Sequence, residues 1–224
     1  MPEHHHSVLR VIEQNRLLPV IALPDASGAR PLGEALLAGG LSCAEVTFRT
    51  DAAVEAIAAM AAIDGLLVGA GTVLSPEQVD RAVAAGARFV VSPGFSAAVV
   101  RRCRERGVPV FPGVMTPTEI QMALEEGLST VKFFPAEQAG GVGMIKALSA
   151  PFRSVRFIPT GGVNAANVRS YLDIPAVVAV GGTWMVPADA LAAKDWARVT
   201  VLVCEAVQAV KSGEADRGGN GGTA

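Results

Sequence analysis

Histidine is almost missing from this chain of 224 residues: all three stand together as His4, His5 and His6, and none follows. That leaves no imidazole for a Ser-His-Asp triad, for a general base in the core, or for a zinc or facial-triad metal site. The run itself reads as a solvated leader rather than a short metal-binding tract. Cysteine is scarce as well. Cys43, Cys103 and Cys204 are odd in number, widely spaced and without a CxxC, which fits a reducing compartment and three small apolar side chains. No signal-type leader opens the chain, and no uninterrupted apolar stretch approaches ~18 residues. A cytoplasmic protein with no membrane partner is expected. Net charge is −2 and no Lys/Arg stripe is present, which argues against nucleic acid. The densest basic stretch, 101–106, reads as the solvated face of a helix.

Lysine is the other scarcity, with four against fifteen arginines. Lys132 alone sits in an apolar β-type run, Thr130-Val131-Lys132-Phe133-Phe134-Pro135. Burying an ammonium is costly unless it is paired or held neutral, and a neutral amine can attack a carbonyl carbon to form a Schiff base. A snorkelling lysine, stem packed and head in water, is the alternative. The run alone does not separate the two.

What the chain has in plenty is alternation. Half of its residues are apolar, enough for one sizeable core. Short β-branched runs are expected as strands at 18–23, 44–49, 66–72, 89–94, 108–114, 130–136, 156–162 and 177–183. Helical periods lie between and after them, at 32–39, 52–62, 76–85, 97–106, 117–126, 142–149, 164–171 and 189–211. Ser75-Pro76-Glu77-Gln78 and Thr116-Pro117-Thr118-Glu119 carry N-cap, first-turn proline and third-position acid or amide. Glycines at 39–40, 86, 107 and 127 supply the stops. Eight βα units in a row predict an α/β fold, a single-domain TIM-type barrel of the (β/α)8 kind over 1–211, with a doubly wound sheet as runner-up. The Gly-rich stretch 212–224 is expected to be a disordered tail.

In such barrels the C-terminal strand ends face the site. There, Glu45, Thr47 and Arg49 share one face of a strand by period-two alternation. Lys132 and Phe134 share a face of another. Two Gly-Gly steps, Gly161-Gly162 and Gly181-Gly182, end the last two strands, and they suit close approach of backbone N–H groups to a phosphate. Asn164 is expected to cap the helix that follows the first of them. Glu45 and Arg49 are either a buried ion pair between barrel layers or a functional set. In the functional reading Arg49 takes a carboxylate with its planar fork, its charge favours a neutral Lys132, and Glu45 moves protons.

The ordered motifs Glu45-Val46-Thr47-Phe48-Arg49-Thr50, Gly69-Ala70-Gly71-Thr72-Val73, Val91-Ser92-Pro93-Gly94, Phe111-Pro112-Gly113, Val131-Lys132-Phe133-Phe134-Pro135-Ala136, Pro159-Thr160-Gly161-Gly162-Val163 and Gly181-Gly182-Thr183-Trp184 closely resemble the class I 2-keto-3-deoxy-6-phosphogluconate (KDPG) and 4-hydroxy-2-oxoglutarate aldolases. The resemblance spans about residues 8 to 210. It implies that Lys132 forms the Schiff base and that Glu45 is the acid/base. It implies further that Arg49 and Thr72 meet the pyruvate carboxylate, with Pro93 and Phe134 lining that pocket. Thr160, Gly161, Gly162, Gly182 and Thr183 fall near the phosphate and hydroxylated tail. The family usually has serine where this chain has Thr183; the hydroxyl is kept and a methyl is added. The resemblance also implies no cofactor, no metal, a homotrimer, and a phosphorylated 2-keto acid and pyruvate as small-molecule partners. The nearer alternative is an aldolase for the C4 epimer, the phosphogalactonate, although Thr160 leans toward the gluconate form. A phosphosugar isomerase or epimerase on the same barrel and a non-catalytic barrel binding phosphosugar acids are the more distant ones.

Overall fold

The computed structural model describes residues 2–218, with side chains from 6 to 211. Parallel strands alternate with helices along the chain. The strands are β1 (Leu17–Ile21), β2 (Cys43–Thr47), β3 (Leu67–Gly71), β4 (Val90–Val91), β5 (Val110–Phe111), β6 (Gly113–Val114), β7 (Thr130–Phe133), β8 (Arg156–Pro159) and β9 (Val180–Gly182). The helices are α1 (Pro2–Asn15), α2 (Ala29–Ala38), α3 (Ala53–Ala61), α4 (Pro76–Ala84), α5 (Ala97–Glu105), α6 (Pro117–Glu125), α7 (Gly141–Ser149), α8 (Val168–Leu172), α9 (Ala188–Ala193) and α10 (Trp196–Gly218).

Pairing runs β5-β4-β3-β2-β1-β9 in one sheet and β6-β7-β8 in the other. Two joints connect them. β5 and β6 are halves of one strand interrupted at Pro112, which has no N–H to give the ladder. Its carbonyl still accepts from Lys132 N–H at 2.9 Å. β8 meets β9 through single bridges, Phe157 with Val177 and Thr160 with Gly181. Counting β5 and β6 as one, eight strand positions form a TIM-type (β/α)8 barrel in a single domain, as the sequence pattern predicts. The doubly wound alternative fails because β1 pairs both β2 and β9, so the last strand returns to the first.

Helix ends follow the expected chemistry. Ser75 Oγ accepts from Gln78 N–H at 3.3 Å, and Thr116 with Glu119 forms a reciprocal capping box. Gly86 and Gly107 leave their helices at φ of 98° and 70°, a conformation that favours glycine.

Four expectations need correction. The leader is a helix: α1 buries Val8 and Ile12 against Leu18, Cys43, Phe89, Phe111 and Ile158, closing the N-terminal end of the barrel. An apolar spacing of four residues gives it that face. The expected helix 189–211 is two helices, because Lys194 takes a left-handed φ of 53° between α9 and α10. α10 then continues to Gly218, past the expected start of the tail at Ser212, while 219–224 lie outside the described residues. Asn164 does not cap α8, whose N-cap position is Asn167. Among the described residues no helix is long and apolar enough to cross a membrane.

Candidate active site

Period-two alternation sorts β2 in the way the sequence predicts. Ala44 and Val46 pack outward into the layer beneath the helices, while Glu45 and Thr47 turn into the barrel. Thr47 Oγ1 donates to Ile21 O at 2.8 Å, which ties β2 to β1 at the level of the site. On β7, Val131 and Phe133 face the helices and leave Lys132 pointing inward.

These two inward side chains meet. Lys132 Nζ lies 3.4 Å from Glu45 Oε1, with the side chains only 5% and 1% exposed. The lysine also stands over the Phe134 ring, 5.1 Å from its centroid. Oε2 of Glu45 is buried with no hydrogen-bond partner. A buried carboxylate oxygen without a partner is costly to the fold. Room for the carboxylate comes from Gly71 on neighbouring β3: a methyl group there would lie 2.2 Å from Glu45 Oε1.

Above the pair opens a cavity of about 390 Å³. Its floor and walls include Lys132, Phe134, Thr72, Pro93 and Thr160, and Arg49, Gly161, Gly162, Gly182 and Thr183 complete the predicted set. Glu45 lies behind Lys132 and does not line the cavity itself. Arg49, Gly162 and Thr183 are exposed at the mouth. Thr72 has a φ of 56°, unusual for a β-branched residue and a mark of backbone strain.

The cavity therefore carries an amine backed by a carboxylate within proton-transfer reach, a guanidinium at the entrance, and three threonine hydroxyls. Across from them, Gly161 and Gly162 turn through φ of 100° and 79°. A family model for KDPG and KHG aldolases matches residues 8–202. This chain belongs to that aldolase family.

The curated relative from Treponema pallidum, a 2-dehydro-3-deoxy-phosphogluconate aldolase, is 50% identical over 91% of this chain and 98% of its own. The KDPG aldolase of Zymomonas mobilis, solved with 3-phosphoglycerate, superposes with a TM-score of 0.86 at 40% identity, covering 91% of this chain and 96% of that one. The Legionella pneumophila enzyme, solved with pyruvate captured as a covalent carbinolamine, gives 0.85 at 40% identity over 88% and 96%. This aldolase shares its barrel with both.

Two parts of its site escape sequence reasoning. Val20 and Val163 also line the cavity, and neither carries a polar group that would single it out. Gly71 as the seat of Glu45 was detectable, since a glycine inside a strand signals close approach by another group. Asn164 has a different task from capping. Its Oδ1 accepts from Ala166 N–H at 2.9 Å and its Nδ2 donates to Gly162 O at 3.1 Å, where Asn167 Nδ2 donates at the same distance. The two asparagines brace the glycine loop from outside.

Proposed function

We propose that this aldolase cleaves KDPG to pyruvate and glyceraldehyde 3-phosphate by Schiff-base chemistry, and that it also acts on 4-hydroxy-2-oxoglutarate. The observation that carries the reading is the buried Lys132–Glu45 pair, with one carboxylate oxygen unpaired, beneath an open cavity.

Lys132 gives a proton to Glu45, and its free amine attacks the C2 ketone to form a carbinolamine. Glu45 returns a proton to the C2 hydroxyl, which leaves as water, and an iminium remains. The carboxylate then takes the C4 hydroxyl proton, directly or through a water. The C3–C4 bond breaks, its electron pair moves into the iminium to give an enamine, and glyceraldehyde 3-phosphate departs. Protonation at C3 and addition of water at C2 release pyruvate and restore Lys132.

In this scheme Arg49 and Thr72 hold the carboxylate, with Pro93 and Phe134 packing the three-carbon unit between them. Thr160, Gly161, Gly162, Gly182 and Thr183 receive the hydroxylated tail and the phosphate. Glycine backbone approaches an anion without steric hindrance, and this supports the phosphate assignment. The Zymomonas mobilis relative was solved with a phosphorylated three-carbon acid, which has the same end group.

The family resemblance further supports a cytoplasmic homotrimer, for which size-exclusion chromatography with light scattering is the test. For the reaction itself, pyruvate release is followed from KDPG and from its C4 epimer. A higher kcat/KM for KDPG is expected; a preference for the epimer would move the assignment to the phosphogalactonate substrate.

A further inference from the structure

The turn after β7 and the loop after β8 are locked together at a point the reaction scheme does not use. Ala136 N–H donates to Thr160 O at 2.8 Å, and Glu137 N–H donates to Gly161 O at 3.1 Å. The stem of Glu137 lies directly on Gly162: a Cβ built there would come within 2.5 Å of Glu137 Cγ. The Glu137 carboxylate is in turn held by the hydroxyl of Tyr171, which donates to Oε1. Tyr171 is fully buried on α8, the helix into which the same loop runs. The glycine loop is thus gripped from the turn before it and from the helix after it.

We propose that Glu137 and Tyr171 are positioning residues for Gly161 and Gly162, and through them for the phosphate end of the substrate. This rests on the reading of the site given above. Glu137 does not line the cavity, yet its side chain is exposed beside the glycines that would meet a dianion. An untethered carboxylate there repels phosphate. The tyrosine bond turns the charge toward the core and fixes the stem against Gly162. Burial, then the bond to Glu137 and its charge, push the Tyr171 phenol well above its ordinary value, so it stays a donor throughout the working pH range. Lys132 is held separately by the β6–β7–β8 ladder, through its register with Gly113 and Ile158. Loss of the Glu137–Tyr171 bond therefore acts on the phosphate and spares the amine.

The test compares Tyr171→Phe, Glu137→Ala and Glu137→Gln with the wild type. KM and kcat are measured on KDPG and on unphosphorylated 4-hydroxy-2-oxoglutarate, glycerol 3-phosphate binding is measured by calorimetry, and thermal unfolding is followed in parallel. Tyr171→Phe and Glu137→Ala are expected to raise KM for KDPG and weaken glycerol 3-phosphate by roughly tenfold, the loss of one charge-assisted hydrogen bond. KM for the unphosphorylated substrate stays within about twofold. Glu137→Gln keeps the acceptor oxygen and stays within about threefold of wild type. Because Glu137 is exposed, its variants are expected to fold even if Tyr171→Phe does not.

Equal losses on both substrates, no loss on either, or Glu137→Gln falling as far as Glu137→Ala would overturn the proposal. So would wild-type protein that ignores glycerol 3-phosphate. Wild type that binds glycerol 3-phosphate but cleaves neither substrate would refute the aldolase reading, and the binding comparison would still decide the role of the pair. Wild type that cleaves KDPG beside indistinguishable variants would refute the positioning role alone.

Discussion

Gly71 makes the seat in which Glu45 lies: a methyl group on its Cα would stand 2.2 Å from Glu45 Oε1 and 2.5 Å from Cγ. At that distance something must shift, and the atoms met are those of the Glu45 side chain that holds Lys132. Gly71→Ala is therefore expected to lower kcat by about a hundredfold, the usual penalty for misplacing a catalytic group by about an ångström. The overpacking costs roughly 1–3 kcal/mol of stability. Steady-state kinetics with a urea melt checks both, and a variant of full activity would show that Glu45 tolerates displacement.

Glu45→Gln separates charge from shape. The amide fills the same space but takes no proton, so kcat is expected to fall by about 10²- to 10⁴-fold. The variant should fold, and pyruvate should still reach Lys132, forming its adduct more slowly. Stopped-flow and quenched trapping measure the two rates. Unchanged kcat would remove Glu45 from the proton path.

Thr72 stores strain beside the cavity at φ 56°. Glycine there relieves about 1–3 kcal/mol of backbone strain against roughly 0.5–1 kcal/mol of added chain entropy. Thr72→Gly is expected to gain stability while KM for the 2-keto acid rises severalfold with loss of the hydroxyl. A thermal melt and a KM measurement decide it; a destabilised variant would mean the threonine fits its position without strain.

The three cysteines differ sharply in accessibility. Cys43 and Cys103 are buried and Cys204 is exposed. Burial pushes both buried thiols up from about 9 to about 12. One thiol is expected to react with a disulfide reagent at pH 8 in the native protein, and all three in denaturant. Since the folded-state values are raised, the burial stability is complete below pH ~9 and is lost as pH climbs toward ~12, at roughly 1.4 kcal/mol per pH unit for each thiol. Urea midpoints at pH 8 and above pH 10 measure the loss. A flat profile would contradict the burial of these thiols.

The inward set Glu45, Thr47 and Lys132 was legible in the sequence because strand alternation is local and rigid, so a strand end fixes which side chains enter the barrel. The caps at Ser75 and Thr116 were legible for the same reason. The burial of α1 was not, since closing the barrel depends on Val8 and Ile12 meeting Phe89 and Phe111 across long sequence distances. Neither was the break at Lys194, which takes its left-handed turn without a glycine to announce it. Asn164 was placed at the right loop with the wrong partner. Asparagine serves turns and caps through the same side-chain oxygen, and only the fold selects between them. Glu137 gave no signal at all, because its meaning lies in Tyr171, 34 residues further along the chain.

Most direct for the central claim is trapping with pyruvate and borohydride, followed by peptide mass spectrometry. Lys132 is expected to carry the reduced pyruvate adduct, with activity lost in proportion to labelling. Lys132→Arg should fold normally, keep its charge, take up no label and turn over no substrate. Label absent from Lys132, or placed on Lys146, Lys194 or Lys211 instead, would contradict the account.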